Sequence, residues 1–232
     1  MATKKIKKKK LNIKRLLVFI LILYLLVCAI LYIAKKPLRN IIITGNTLVS
    51  DAEIIEKAGI KKYPAYVSLN IGKMKKKIKS LDLISDVSVK RNLLFQLKIN
   101  VKEDKIICLD EVNKKLLLSN NTKIEQNSRY IGFPILINYT PDDILKRFLK
   151  GMGELDYGTL SGINEIEYAP SYNGANELMD EGRFLLKMND GNTVYINLSK
   201  LSSLKYYQKI YASLGDKKGV IHLDSGEYME VK

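Results

Sequence analysis

Residues 41–60 read Ile41-Ile42-Ile43-Thr44-Gly45-Asn46-Thr47-Leu48-Val49-Ser50-Asp51-Ala52-Glu53-Ile54-Ile55-Glu56-Lys57-Ala58-Gly59-Ile60. The branched run Ile41 to Ile43 favours an extended backbone, and Gly45-Asn46 is a turn pair. Ser50 is a good helix N-cap, and Glu53 three positions on completes a capping box. The helix after it spans Asp51 to Ala58, with Ile54, Ile55 and Ala58 apolar, and Gly59 stops it. Further on, Ser68-Leu69-Asn70 leads into a second helix, Ile71 to Ser80, whose stripe is Met74, Ile78 and Leu81. Lys73, Lys75, Lys76, Lys77 and Lys79 surround that stripe; they read as a solvated face, with an anionic surface as the alternative. Val87 and Val89, then Leu93, Leu97, Ile99 and Val101, alternate with polar residues and read as two antiparallel strands turning near Asn92. The order strand, helix, helix, strand, strand lets two helices cover one face of a small sheet, an α+β module.

Upstream, Leu16 to Ala34 is nineteen residues without a charge, and eight of the fifteen residues before it are Lys or Arg. As a helix the run is roughly 28 Å long, about the thickness of a bilayer's hydrocarbon core. The cations are Lys4, Lys5, Lys7 to Lys10, Lys14 and Arg15, against Lys35, Lys36 and Arg39 on the far side. The positive-inside bias therefore keeps the tail, residues 1–15, in the cytoplasm and exports the chain beyond Ala34. A cleaved signal peptide shares the basic start, but Cys28 to Ala34 stays bulky and apolar where a small-x-small cleavage site is needed. A lipoprotein site at Cys28 lacks a small residue before it, because Val27 stands there. A soluble core helix is apolar on one stripe, not all round. The reading is a single-pass anchor over 16–34, with Tyr32 as an interfacial aromatic.

The exported residues 35–232 carry 31 basic and 24 acidic side chains, and the tail supplies the rest of the net +15. The tail is a cationic patch suited to topology and to anionic lipid headgroups. It has no aromatic interleaving, and no nucleic-acid partner is expected. Cys28 lies in the apolar run and Cys108 beyond it, so no intrachain disulfide is sensible.

The stretch Ile41-x-Ile43-x-Gly45-Asn46, then Val49-Ser50-x-x-Glu53-Ile54, resembles the start of a POTRA domain. Ser68-Leu69, the basic helix, Leu81-x-x-Ile84-x-x-Val87-x-Val89-x-Arg91 and Ile99-x-Val101-x-Glu103 resemble the rest of it, over residues 37–104. One POTRA directly after one uncleaved membrane helix resembles the FtsQ/DivIB family of bacterial cell-division proteins. The family often carries Trp-Pro after the Arg, where this chain has Asn92-Leu93-Leu94.

Residues 105–232 alternate short strands with helices. Ile106 to Leu109 and Lys115 to Leu118 read as a hairpin and Asp142 to Met152 as a helix, while Gly132-Phe133-Pro134-Ile135-Leu136 resembles the family's short Pro-x-Leu strand. A strand starts at Ile163, and Arg183–Met188 with Thr193–Asn197 form a hairpin around Asp190-Gly191. A helix comes next over Leu201 to Leu214, with Leu201, Leu204, Ile210, Tyr211 and Leu214 apolar. Gly219–Leu223 and Glu227–Val231 end the chain as strands around Asp224-Ser225-Gly226. A mainly antiparallel β domain with flanking helices fits this pattern and resembles the family's second domain.

Chemistry is sparse. His222 is the one histidine and reads as structural, and Cys108 sits in an apolar strand. There is no nucleophile elbow and no phosphate-binding loop, and Gly151-x-Gly153 comes after a helix. Asp142-Asp143 and Asp110-Glu111 read as caps and solubilisers in polar loops or at a helix start. No catalytic site, cofactor, metal or small-molecule substrate is expected. What remains is binding, since a sheet edge can accept a strand from another chain. The terminal segment is the candidate, through Leu223, Glu227, Tyr228, Met229, Glu230 and Val231; the competing reading packs Tyr228 and Met229 on their own domain. The resemblance implies partners of the FtsB/DivIC and FtsL type at this place, with a septal transpeptidase as a further one. Leu223 stands where the family often has an aromatic, and Val231 is near a second such position. The function expected is a bitopic scaffold of the division septum that helps recruit or regulate peptidoglycan synthesis. A POTRA component of a transport or secretion system and a membrane-anchored envelope enzyme are the alternatives.

Overall fold

The computed structural model describes residues 12–92, 94–126, 128–215, 217–226 and 228–231; most of the basic tail, together with Leu93 and Glu227, lies outside these. The chain divides into two compact units, Met1–Glu103 and Asp104–Lys232.

The first unit opens with helix α1, Ile13–Ala34. It starts three residues before the uncharged run because the Asn12 side chain accepts the Arg15 N–H at 3.4 Å. Capping, not apolarity, decides where backbone bonding begins. None of its residues is buried, and it is the one helix among the described residues long and apolar enough to cross a membrane. Strand β1 (Asn40–Thr44), helices α2 (Asp51–Ala58) and α3 (Ile71–Lys79), and strands β2 (Ile84–Asn92) and β3 (Gln96–Glu103) complete the unit.

Ser50 Oγ accepts the Glu53 N–H at 3.3 Å, and Gly59 leaves α2 at φ 74°. The Asn70 side chain caps α3 by accepting from Lys73 N–H at 2.9 Å. The sheet order is β1-β3-β2: β3 runs antiparallel to β2 and parallel to β1. A parallel partner needs a long crossover, which α2 and α3 provide. Leu97, Ile99 and Val101 of β3 are buried in strict alternation, and Ile54, Met74 and Ile78 are buried on the helices. Ile78 is fully buried, so Ile78→Ala would cost about 3 kcal/mol. Gly45 is required twice over: its φ is 87°, and a Cβ there would lie 2.0 Å from the Val101 carbonyl oxygen. A 3₁₀ turn at Tyr66–Ser68 was not expected from the sequence.

The second unit holds a nine-stranded sheet. Its strands are β4 (Ile106–Asp110), β5 (Lys115–Leu118), β6 (Lys123–Glu125), β7 (Ile135–Leu136), β8 (Ile163–Tyr168), β11 (Arg183–Met188), β12 (Thr193–Asn197), β13 (Gly219–His222) and β14 (Tyr228–Val231); β9 (Ser171–Tyr172) and β10 (Leu178–Asp180) pair apart from it. The order is β14-β13-β12-β11-β8-β7-β4-β5-β6. Five neighbouring pairs are antiparallel; β12–β13, β7–β8 and β4–β7 are parallel.

Helix α4 (Asp142–Gly153) buries Ile144, Leu145, Phe148, Leu149 and Met152, and Phe148 stacks on Phe184 of β11 at 4.0 Å. Helix α5 (Tyr157–Ser161) is a short addition capped by Asp156. Asp110 departs from expectation. It is 5% exposed at the end of β4 and accepts from the Val112 and Asn113 N–H groups, anchoring the β4–β5 turn. The helix expected over Leu201–Leu214 is two elements, a 3₁₀ helix at Leu198–Tyr206 and α6 at Tyr207–Leu214. Leu201, Leu204 and Tyr207 are buried at a spacing of three, the 3₁₀ period, while Tyr211 is exposed.

Candidate partner-binding edge

β14 is the last strand of the nine-stranded sheet, hydrogen-bonded to β13 on one side only. Its register puts Tyr228 opposite His222, Met229 opposite Ile221 and Val231 opposite Gly219. Gly219 makes the close approach possible, since a Cβ there would lie 1.9 Å from the Glu230 carbonyl oxygen.

The β11–β12 turn positions the surroundings. Gly191 adopts φ 92°, as an Asp-Gly turn requires. The Asp190 carboxylate accepts the Tyr207 O–H at 2.7 Å, fixing the start of α6. Burial and that carboxylate push the Tyr207 phenol up, so it remains a donor. Asn192 is 1% exposed and accepts the Gly219 N–H at 3.0 Å, fixing the start of β13. Between these two elements runs an open apolar groove of about 480 Å³, lined by Tyr206, Ile210 and Leu214 on one side and Leu223, Tyr228 and Met229 on the other.

The loop before β14 is held electrostatically. Arg183 Nε donates to Asp224 at 2.7 Å, and Asn197 Nδ2 donates to the Asp224 carbonyl at 3.1 Å. Burial raises the Asp224 carboxyl, but the Ser225 N–H and the Arg183 guanidinium outweigh it and hold it below the ordinary Asp range. On the same sheet face a guanidinium and three rings form a ladder across four strands. Arg183 lies 3.8 Å from the Tyr195 ring centre, Tyr195 stacks on His222 at 5.2 Å, and His222 on Tyr228 at 4.5 Å. His222 Nδ1 is 3.6 Å from Asp224 and Nε2 is 3.6 Å from Glu230. The two carboxylates approach opposite ring nitrogens and so do not converge on one ion.

Of the residues expected at the edge, Leu223 is buried at 3% and forms the floor of the groove. Met229 is half-buried against the core, while Tyr228, Glu230 and Val231 are exposed. Glu227 lies outside the described residues. Sequence reasoning missed Arg183, Tyr195 and Asn192, which come from strands and a turn remote in the chain. Cys108 is fully buried in β4, where desolvation pushes its thiol up and leaves it unreactive.

Three comparisons bear on identity. A family model described as the POTRA domain, FtsQ-type, matches residues 36–104. The cell division protein DivIB of Listeria monocytogenes is 28% identical over 200 residues, covering 83% of this chain and 72% of that protein. DivIB of Enterococcus faecalis is 26% identical over 202 residues, and there the chain spans 51% of the relative. DivIB of Brevibacillus brevis is 26% identical over 194 residues, 71% of its length. A solved structure of the major extracytoplasmic domain of DivIB from Geobacillus stearothermophilus aligns with 49% of this chain and 95% of that one, at 24% identity and a TM-score of 0.38. Residues 36–104, the βααββ first unit, thus match the FtsQ-type POTRA domain, and over about four fifths of its length the chain is similar to cell division proteins DivIB.

Proposed function

We propose that this chain is a membrane-anchored scaffold of the division septum whose β14 edge captures other division proteins by strand addition. In this reading residues 1–15 stay in the cytoplasm, 16–34 span the membrane, and the POTRA domain, 37–104, docks further division proteins. The β domain, 105–232, receives a strand from a coiled-coil partner of the FtsB/DivIC or FtsL type, which helps bring septal peptidoglycan synthesis to the site. No catalytic step is assigned to the chain.

The observation that carries the reading is the open side of β14 beside an apolar groove. A strand adding there gains main-chain hydrogen bonds, and alternate side chains have the groove to enter. Leu223 and Met229 line the groove and supply its apolar contact.

The test is co-purification of the full chain with DivIC- and FtsL-type proteins, beside a chain lacking residues 227–232. Capture by the intact chain and loss by the shortened one, with unchanged circular dichroism, is the expected result. Equal capture by both would sink the edge as the binding site.

A further inference from the structure

We propose that the first unit carries a second membrane contact: the loop 61–67 and the turn residues Leu94 and Phe95 rest in the outer headgroup layer and bind anionic phospholipid. This rests on the reading that α1 spans the membrane.

Every short step out of α1 is tied to these two segments. The Tyr66 N–H donates to the Lys36 carbonyl at 2.9 Å, and the Leu38 N–H donates to the Pro64 carbonyl at 3.0 Å. Pro37 bridges to Ala65, and the Arg39 N–H donates to the Phe95 carbonyl at 2.9 Å. Lys36 is two residues past the end of α1, a reach of at most about 7 Å. The interfacial layer on each side of the hydrocarbon is about that thick. The loop is therefore fixed at headgroup depth by backbone bonds, without a flexible linker.

Loop and turn form one rigid platform. The Tyr66 ring meets Phe95 edge-on at 5.5 Å, and its hydroxyl donates to the Asn92 carbonyl. The Arg91 guanidinium donates to the Val67 and Leu69 carbonyls.

The side chains this platform presents are those of a membrane interface. Among the described residues of 35–103, the exposed large apolar or aromatic side chains are Tyr63 at 59%, Val67 at 50% and Leu94 at 62%. All three lie on this loop and turn, where a solvated domain would scatter them. Lys61 and Lys62 on the loop, and Lys35 and Arg39 on the segment bonded to it, are exposed. No Asp or Glu occurs in 35–50, 57–81 or 87–102, and residues 35–103 hold fifteen basic against six acidic side chains. An amphipathic Tyr next to Lys61 and Lys62 in the chain suits the depth where acyl chains give way to phosphates. Because this chain itself enters the bilayer beside the loop, phospholipid is the occupant it meets first.

The chain has no Trp, so Tyr63→Trp creates a single indole, excited selectively beyond the tyrosine absorption. In the full chain reconstituted into phosphatidylcholine–phosphatidylglycerol vesicles, its emission should shift to the blue and be quenched by lipids brominated high on the acyl chain. Adding Lys61→Glu and Lys62→Glu should remove most of both effects. Tyr24→Trp, in the middle of α1, reports the span itself through lipids brominated near the chain end. Quenching at Tyr24→Trp with a Tyr63→Trp that lipid does not reach and aqueous acrylamide does would overturn the second contact and leave the anchor standing. A blue shift at Tyr63→Trp that ignores lipid bromination would point to a protein neighbour and overturn it too. A Tyr24→Trp untouched by brominated lipid would overturn both readings.

Discussion

The two ends of the nine-stranded sheet are finished differently. β6 is three residues long, with Lys123 and Glu125 exposed on either side of a buried Ile124, and Lys115 pairs with Glu125 at 3.3 Å. β14 offers Tyr228 and Val231 to solvent, half-buries Met229, and lies against an apolar groove. Short length and charge blunt an edge against pairing, whereas exposed aromatic and aliphatic groups invite it. One sheet thus closes itself at one end and leaves the other open, and that asymmetry supports β14 as the place where another chain adds.

The sharpest way to break the comparison is to remove β14. Deleting residues 227–232 should weaken DivIC-type partner binding by about a hundredfold or more, measured by isothermal titration, since hot-spot contacts dominate such interfaces. Next in size is Asp224→Asn, which breaks the ion pair with Arg183 and should lower stability by about 2 kcal/mol in urea unfolding. Because the Asp224 carboxyl sits below its unfolded value of about 3.9, its contribution is present above that pH and is lost as pH falls through the folded value. The variant should therefore show a flatter acid limb, and an unchanged limb would mean that the pair contributes nothing to acid stability. Val231→Lys gives β14 the kind of charge that β6 carries and should weaken partner binding about fivefold, near 1 kcal/mol, with the fold intact. The smallest effect is expected at the other end: Lys123→Val with Glu125→Val should change stability and partner binding by under about 0.5 kcal/mol. In sedimentation the same pair should raise self-association, because a second edge has been opened; an unchanged sedimentation coefficient would mean charge is not what closes β6.

Local chemistry made much of this fold legible. Ser50, Gly59 and the Asp190-Gly191 turn act through their immediate neighbours, so a reader of the chain can place α2 and the β11–β12 hairpin. The parallel pairings of β1 with β3 and β12 with β13 depend on which distant strands meet, and no residue in those strands announces them. β6 escaped notice because Lys-Ile-Glu holds a single apolar residue. The division of residues 198–214 into a 3₁₀ and an α helix was readable in principle: Leu201, Leu204 and Tyr207 recur every third position, while the wider stripe through Ile210 and Leu214 suits an α helix. At the candidate edge, the terminal strand could be named from its apolar side chains. The supports behind it could not, since Arg183, Tyr195 and His222 meet only when β11, β12 and β13 stand side by side.

β7 is two residues long, yet it alone joins β4, β5 and β6 to the other five strands of the sheet. Just past it the Asn138 side chain takes over, donating to the Tyr168 carbonyl at 2.9 Å and accepting the Tyr168 N–H at 2.8 Å, as a backbone would. The sheet's continuity at this seam therefore rests on a handful of bonds and one amide standing in for a missing residue of strand, while α4 packs across both sides of it.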